Sequence, residues 1–168
     1  MRGSDIVDEL MAALKTYDWG GDRGALAGID QRIVDARGAK KELADIERAL
    51  LEVLQSDAKL PAKEYICRQL ALIGSAQSVP VLSEMLIDPE LSDCARLALE
   101  AIPDSSAGKA LRRALDKADG VQRVGIVNTL GERRDRKSVP VLSRMRISQD
   151  LALSAAVDAA LRKIEAGY

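Results

Sequence analysis

Apolar residues along this chain fall three and four apart, in short clusters separated by polar turns. Ile66, Leu70 and Ile73 share one face of a helix, as do Ala95, Leu99 and Ile102, and again Val157, Leu161 and Ile164. Val79, Leu82 and Leu86 form a second stripe after the first of these clusters. Between stripes lie Gly74-Ser75-Ala76-Gln77, Pro103-Asp104-Ser105-Ser106 and Arg134-Asp135-Arg136-Lys137. Helices joined by so few residues pack antiparallel. Pro80 and Pro140 fall in the first turn of a second helix, where a missing N–H costs little. Asp88-Pro89 or Ser92 is placed to cap the helix that follows.

The clusters recur at a fixed spacing. Ser78-Val79-Pro80-Val81-Leu82-Ser83 returns unchanged as Ser138-Val139-Pro140-Val141-Leu142-Ser143, and Ile66, Leu70, Met85 and Ile87 return as Ile126, Leu130, Met145 and Ile147. A diverged copy lies between them: Leu99, Ile102, Leu111 and Leu115 follow Leu70, Ile73, Leu82 and Leu86 at a constant 29, and the next steps are 31. Such a period marks a stack of helical units, each burying its apolar face against its neighbours.

The stretch Leu130-Gly131-Glu132-Arg133-Arg134-Asp135-Arg136-Lys137-Ser138-Val139-Pro140-Val141-Leu142 resembles the signature of bacterial HEAT-like repeats of the PBS-lyase type, L-G-x-x-x-D-x-x-[AS]-V-P-x-L. The 70–82 copy has Ala71 for Gly and Ser75 for Asp, and the 99–111 copy keeps Asp104 but loses Val-Pro. The resemblance implies an all-α fold, a right-handed α-α superhelix of about five antiparallel hairpins with no sheet. The chain then reads as one domain, 1–168: atypical capping helices over 1–60, near 4–17, 24–36 and 39–56, then repeats over 61–168 that end in a half-repeat. The apolar face of that last helix is either covered by the preceding hairpin or left available. Arg133 stands where Ile73, Ile102 and Ile164 stand, and at a helix end it is expected to extend to water.

Composition agrees with helices. Hydrophobic residues make up 47% but aromatics only 2%, with no Phe, so Ala and Leu fill the core. No apolar run approaches the length of a membrane span, and no signal-peptide core follows Met1-Arg2-Gly3-Ser4, which has the character of an expression-tag remnant. The expected setting is cytoplasmic. Cys67 and Cys94 make no metal spacing and fall at non-equivalent repeat positions, so they are expected to be buried small hydrophobes without a disulfide. Net charge is −1, which argues against polyanion binding through the overall field. Its distribution is uneven: residues 1–102 carry 12 Lys+Arg against 18 Asp+Glu, and 103–148 carry 11 against 5.

There is no His, which removes imidazole acid–base work, Ser-His and Cys-His nucleophile pairs and the commonest metal ligand. Among proteins of the family it resembles, the His-Glu iron site of deoxyhypusine hydroxylase has no counterpart here, nothing marks a bilin site like that of the phycobilin lyases, and the one Trp lies away from the basic repeats that a HEAT-like DNA glycosylase would use. Gly20-Gly21-Asp22-Arg23-Gly24 lacks the strand and the Lys-Ser/Thr of a phosphate loop, and reads as an interhelical turn with Asp22 as N-cap. Trp19 is expected to cover the open end of the core, with an exposed binding pair of Tyr17 and Trp19 as the alternative.

On the second helices, positions away from the apolar stripe form rows: Glu84, Arg113, Arg144; Pro80, Lys109, Pro140; Gln77, Ser106, Lys137; Ile87, Asp116, Ile147. The resemblance implies that second helices line a concave face, so Lys109, Arg112, Arg113 and Arg144 would gather in a groove flanked by an exposed Ile147. Guanidinium groups suit bidentate capture of carboxylate or phosphate. The plainer alternative is a solvated face with Asp116 and Glu132 as salt partners. The function expected is a non-catalytic protein–protein interaction scaffold with no cofactor and no metal, taking an acidic or amphipathic protein segment, as a monomer or an end-to-end homodimer. Nucleic-acid binding through the same groove is the first alternative, disfavoured by the near-zero net charge, and a bilin-lyase-like enzyme subunit is the second.

Overall fold

The computed structural model describes residues 3–166, which form ten α-helices and no strand. Met1 and Arg2, half of the tag-like opening, lie outside the described residues. Three helices come first: α1 Gly3–Thr16, α2 Gly24–Asp35 and α3 Lys40–Leu54. Then follow α4 Leu60–Ile73, α5 Val79–Glu84 (continued by a 3₁₀ turn, Met85–Ile87), α6 Ser92–Ala101 and α7 Ser105–Ala114. Last come α8 Gly120–Glu132, a 3₁₀ turn Arg136–Ser138, α9 Val139–Met145 and α10 Leu151–Glu165.

The packing follows the stripes. α4 lies along α6, α6 along α8 and α8 along α10, while α5 meets α7 and α9 meets α10. Leu82, Leu111 and Leu142, equivalent in the sequence spacing, are fully buried, as are Leu70, Leu99 and Leu130 in α4, α6 and α8. One apolar cluster runs from Met11 to Ile164. The apolar face of α10 is covered: Leu153, Val157, Leu161 and Ile164 are all buried against the preceding helices, α8 above all.

Each turn between paired helices finds a carboxylate by a different route. Asp104 caps α7, accepting from the Ser106 N–H at 2.8 Å and from Ser106 Oγ at 2.6 Å. Ser75 stands in the same place before α5 and has no carboxylate to offer; there Glu47, reaching across from α3, accepts from Ser75 N at 2.8 Å, Ser75 Oγ at 3.0 Å and Ser78 Oγ at 2.6 Å. Asp135, before α9, pairs instead with Arg112. The first helices are tied to α4 by Tyr65, whose hydroxyl donates to Leu26 O at 2.9 Å and lies 2.8 Å from Asp30 Oδ1. Burial, then the Asp30 carboxylate, pushes that phenol well above its ordinary range.

Two expectations are overturned. Arg133 does not extend to water: its guanidinium donates to the carbonyls of Leu99 (2.5 Å), Glu100 (2.9 Å), Ile102 (2.5 Å) and Asp104 (3.1 Å), closing the C-terminal end of α6. A cation at the negative end of a neighbouring helix satisfies carbonyls that have no partner within it. Trp19 is 71% exposed and covers nothing. The turn is fixed by Asp18, which accepts from Trp19 N, takes Gly21 N on its carbonyl and pairs with Lys59, so the indole points outward while Tyr17 packs on the core. The cysteines depart from expectation in one respect only: both are free and Cys67 is buried, but Cys94 is half-buried, its Sγ 3.1 Å from Leu91 O.

Candidate functional site

Short helices α5 and α7 leave a groove of about 690 Å³ between them. Leu82 and Leu86 on one side and Leu111 and Leu115 on the other face the core, and other faces of the two helices turn to the groove. Val79, Pro80 and Ile87 give one wall an apolar surface, with Glu84 at its edge. Lys109, Arg113 and Lys117 stand on the opposite side, above Ala110 and Ala114. Small residues on α7 keep the floor low, and the cations follow one another at helical spacing, four residues apart. Among the described residues, none of these three cations has an ion-pair partner.

The structure therefore brings together Lys109 and Arg113 of the expected set. It adds Lys117, which lies one turn beyond the row considered in the sequence and is legible as the next i+4 position. Arg112 is removed from the groove. It points to the other side of α7 and pairs with Asp135, the two side chains only 20% and 15% exposed. Gly108 makes room for them: a Cβ there would lie 3.2 Å from Asp135 Oδ1 and 3.3 Å from an Arg112 nitrogen. Arg144 and Ile147 are exposed on and just after α9, outside this groove, Ile147 at 90%. The salt partners also differ from expectation, since Glu132 pairs with Lys163 from α10 and Arg146 with Asp158.

A second depression of about 580 Å³ lies among α1, α2 and α3, where Asp8, Asp35, Glu42, Asp45 and Glu52 outnumber Arg32 and Arg48. It is the structural expression of the acidic balance in the first part of the sequence. Gly20–Gly24 forms a turn in which Asp22 Oδ1 accepts from Gly24 N at 2.9 Å, one residue before the assigned helix cap. Among the described residues no group of three or more His, Cys, Asp or Glu is placed to hold a metal ion, and no helix is long and apolar enough to cross a membrane. The chain matches no protein-family model and no curated protein sequence.

Proposed function

We propose that this protein is a HEAT-like solenoid of antiparallel hairpins that works as a non-catalytic scaffold in the cytoplasm, holding an acidic, amphipathic segment of a partner protein in the groove between α5 and α7. The observation that carries this reading is the pairing of three unpartnered cations with an apolar opposite wall. An amphipathic helix with carboxylates on one flank and aliphatic side chains on the other complements both surfaces at once. The solenoid reading is supported by the order of packing, α4 to α6 to α8 to α10, taken with the 29- and 31-residue sequence spacing. The absence of His from the sequence supports a binding role over catalysis. Burial of the α10 face favours a monomer over end-to-end stacking.

The test is fluorescence anisotropy with labelled helical peptides carrying Glu on one face and Leu on the other, beside a scrambled and a Lys-for-Glu series. Saturable binding of the acidic amphipathic peptides is expected, weakening as salt shortens the reach of exposed charges to below about 10 Å. Lys109→Glu with Arg113→Glu should abolish it, while Arg112→Ala should act on stability instead. Equal binding of the scrambled and basic peptides, or indifference to the double reversal in a folded variant, rules the groove out. Tighter, salt-steep capture of a single-stranded oligonucleotide would move the reading to nucleic acid.

A further inference from the structure

The groove between α5 and α7 holds one negative charge among its three positive ones. Glu84 stands exposed on the α5 wall, four residues after Pro80 and three before Ile87. Arg113 holds the corresponding position on α7: the two stand 29 apart, as do Leu82 and Leu111, and Leu86 and Leu115, all four of them buried. Opposite charges level with one another on facing walls would attract, yet these two form no ion pair. Among the described residues the Glu84 carboxylate has no ion-pair partner of any kind.

Nothing in the fold asks for a carboxylate there. Glu84 is the last residue of α5, where the carbonyl end of a helix disfavours negative charge. The equivalent residues in the last turns of α7 and α9, Arg113 and Arg144, carry the sign which that end favours. Glu84 therefore neither steadies its own helix nor ties it to another. Its effect is to set one negative charge in an apolar wall, opposite the row of Lys109, Arg113 and Lys117. The small side chains of Ala110 and Ala114 leave the space between the two walls open to an occupant.

Resting on the reading of this groove as the seat of an acidic amphipathic segment, we propose that Glu84 takes a Lys or Arg of that segment and thereby sets its register. Charge complementarity specifies the occupant. Toward α7 it carries carboxylates three or four apart, against the three cations; toward α5 it carries an aliphatic, a basic and an aliphatic residue at the same spacing, against Pro80, Glu84 and Ile87. Because Glu84 and Arg113 are level, the partner's cation stands two positions from its central carboxylate, on the opposite flank of one turn. A slip of one turn carries that cation onto Pro80 or Ile87 and sets an aliphatic residue against Glu84, so one register is favoured over its neighbours. A segment with aliphatic residues alone on that flank loses only an end contact on slipping.

Three labelled helical peptides decide this, identical on the acidic flank and carrying Lys, Gln or Glu at the position that faces Glu84. By fluorescence anisotropy, wild type should bind the Lys peptide about two- to fivefold more tightly than the Gln peptide, the range of an exposed ion pair, and the Glu peptide most weakly. Glu84→Gln should bring the Lys and Gln peptides level, and Glu84→Lys should reverse the order of Lys and Glu, each preference fading as salt is added. The urea midpoint of Glu84→Gln should equal or exceed that of wild type, since the carboxylate serves no contact in the fold. Equal affinity for all three peptides, with binding still lost in Lys109→Glu with Arg113→Glu, leaves the groove reading standing and overturns the role of Glu84. Binding of none of the three overturns both. A lowered midpoint in Glu84→Gln with equal loss for all three peptides makes Glu84 a structural residue, and also overturns the proposal.

Discussion

Arg133 illustrates how a single residue takes its role from a neighbouring helix. At the end of its own helix it breaks the sequence pattern, standing at a position occupied elsewhere by Ile. Across the interface it ends α6, whose last carbonyls would otherwise be half-buried without partners. Burial lowers its pKa, opposed by the charges of Asp135, Glu100 and Asp104, and a guanidinium stays charged in such a place. Arg133→Met keeps much of the stem and removes every donor, and should cost about 2 kcal/mol in denaturant melts. Arg133→Lys should recover little of that, because an ammonium does not span carbonyls that a planar fork reaches together. A Met variant as stable as wild type would mean that water serves those carbonyls equally well. Arg112 carries the same lesson: its partner, Asp135, lies 23 residues away, and no periodicity within one helix points to it.

At the scale of elements, the apolar stripes were legible because one face of a helix must meet the core, and Leu82, Leu111 and Leu142 are fully buried. Lys109 and Arg113 were legible for the complementary reason, as positions opposite that stripe. What the stripes leave open is how closely two helices approach. Gly131 lets α8 and α10 approach closely: a Cβ there would lie 2.7 Å from Ala160 Cα and 2.9 Å from its Cβ. Two effects oppose one another in Gly131→Ala. Helix propensity favours alanine by about 1 kcal/mol, while forcing backbone apart in a packed interface costs roughly 1–3 kcal/mol. The obstruction is backbone, which does not swing away as a side-chain tip would, so net destabilisation is expected, read as a lower urea midpoint with unchanged slope. A stabilised variant would show that the interface has slack and that the glycine serves nothing there.

The whole molecule has one core, from Met11 to Ile164, with the first helices joined to the rest through Tyr65, Glu47 and the Lys59–Asp18 pair. A chain whose helices share one core unfolds as one body when the contacts between its parts outweigh the differences among them. Glu47 joins α3 to the turn before α5, across the boundary between the first three helices and the rest. A single transition is therefore expected, and two probes placed apart test it. Far-UV circular dichroism reports all the helices, and maleimide labelling of Cys67 in a Cys94→Ser variant reports the opening of α4 against α6. The two should share one midpoint and one slope in urea. Trp19 makes a poor third probe, because at 71% exposure its native emission should already be red-shifted and change little on unfolding. Glu47→Gln weakens the boundary without creating a cavity, removing the charge from the three hydrogen bonds it receives. In that variant the circular dichroism should begin to fall at lower urea than the thiol labelling rises, as the first helices leave ahead of the rest. Coincident midpoints in both proteins would place the weakest junction somewhere other than the Glu47 contact. Separated midpoints in the parent would mean that residues 3–54 are a unit of their own, held to the rest by less than this packing suggests.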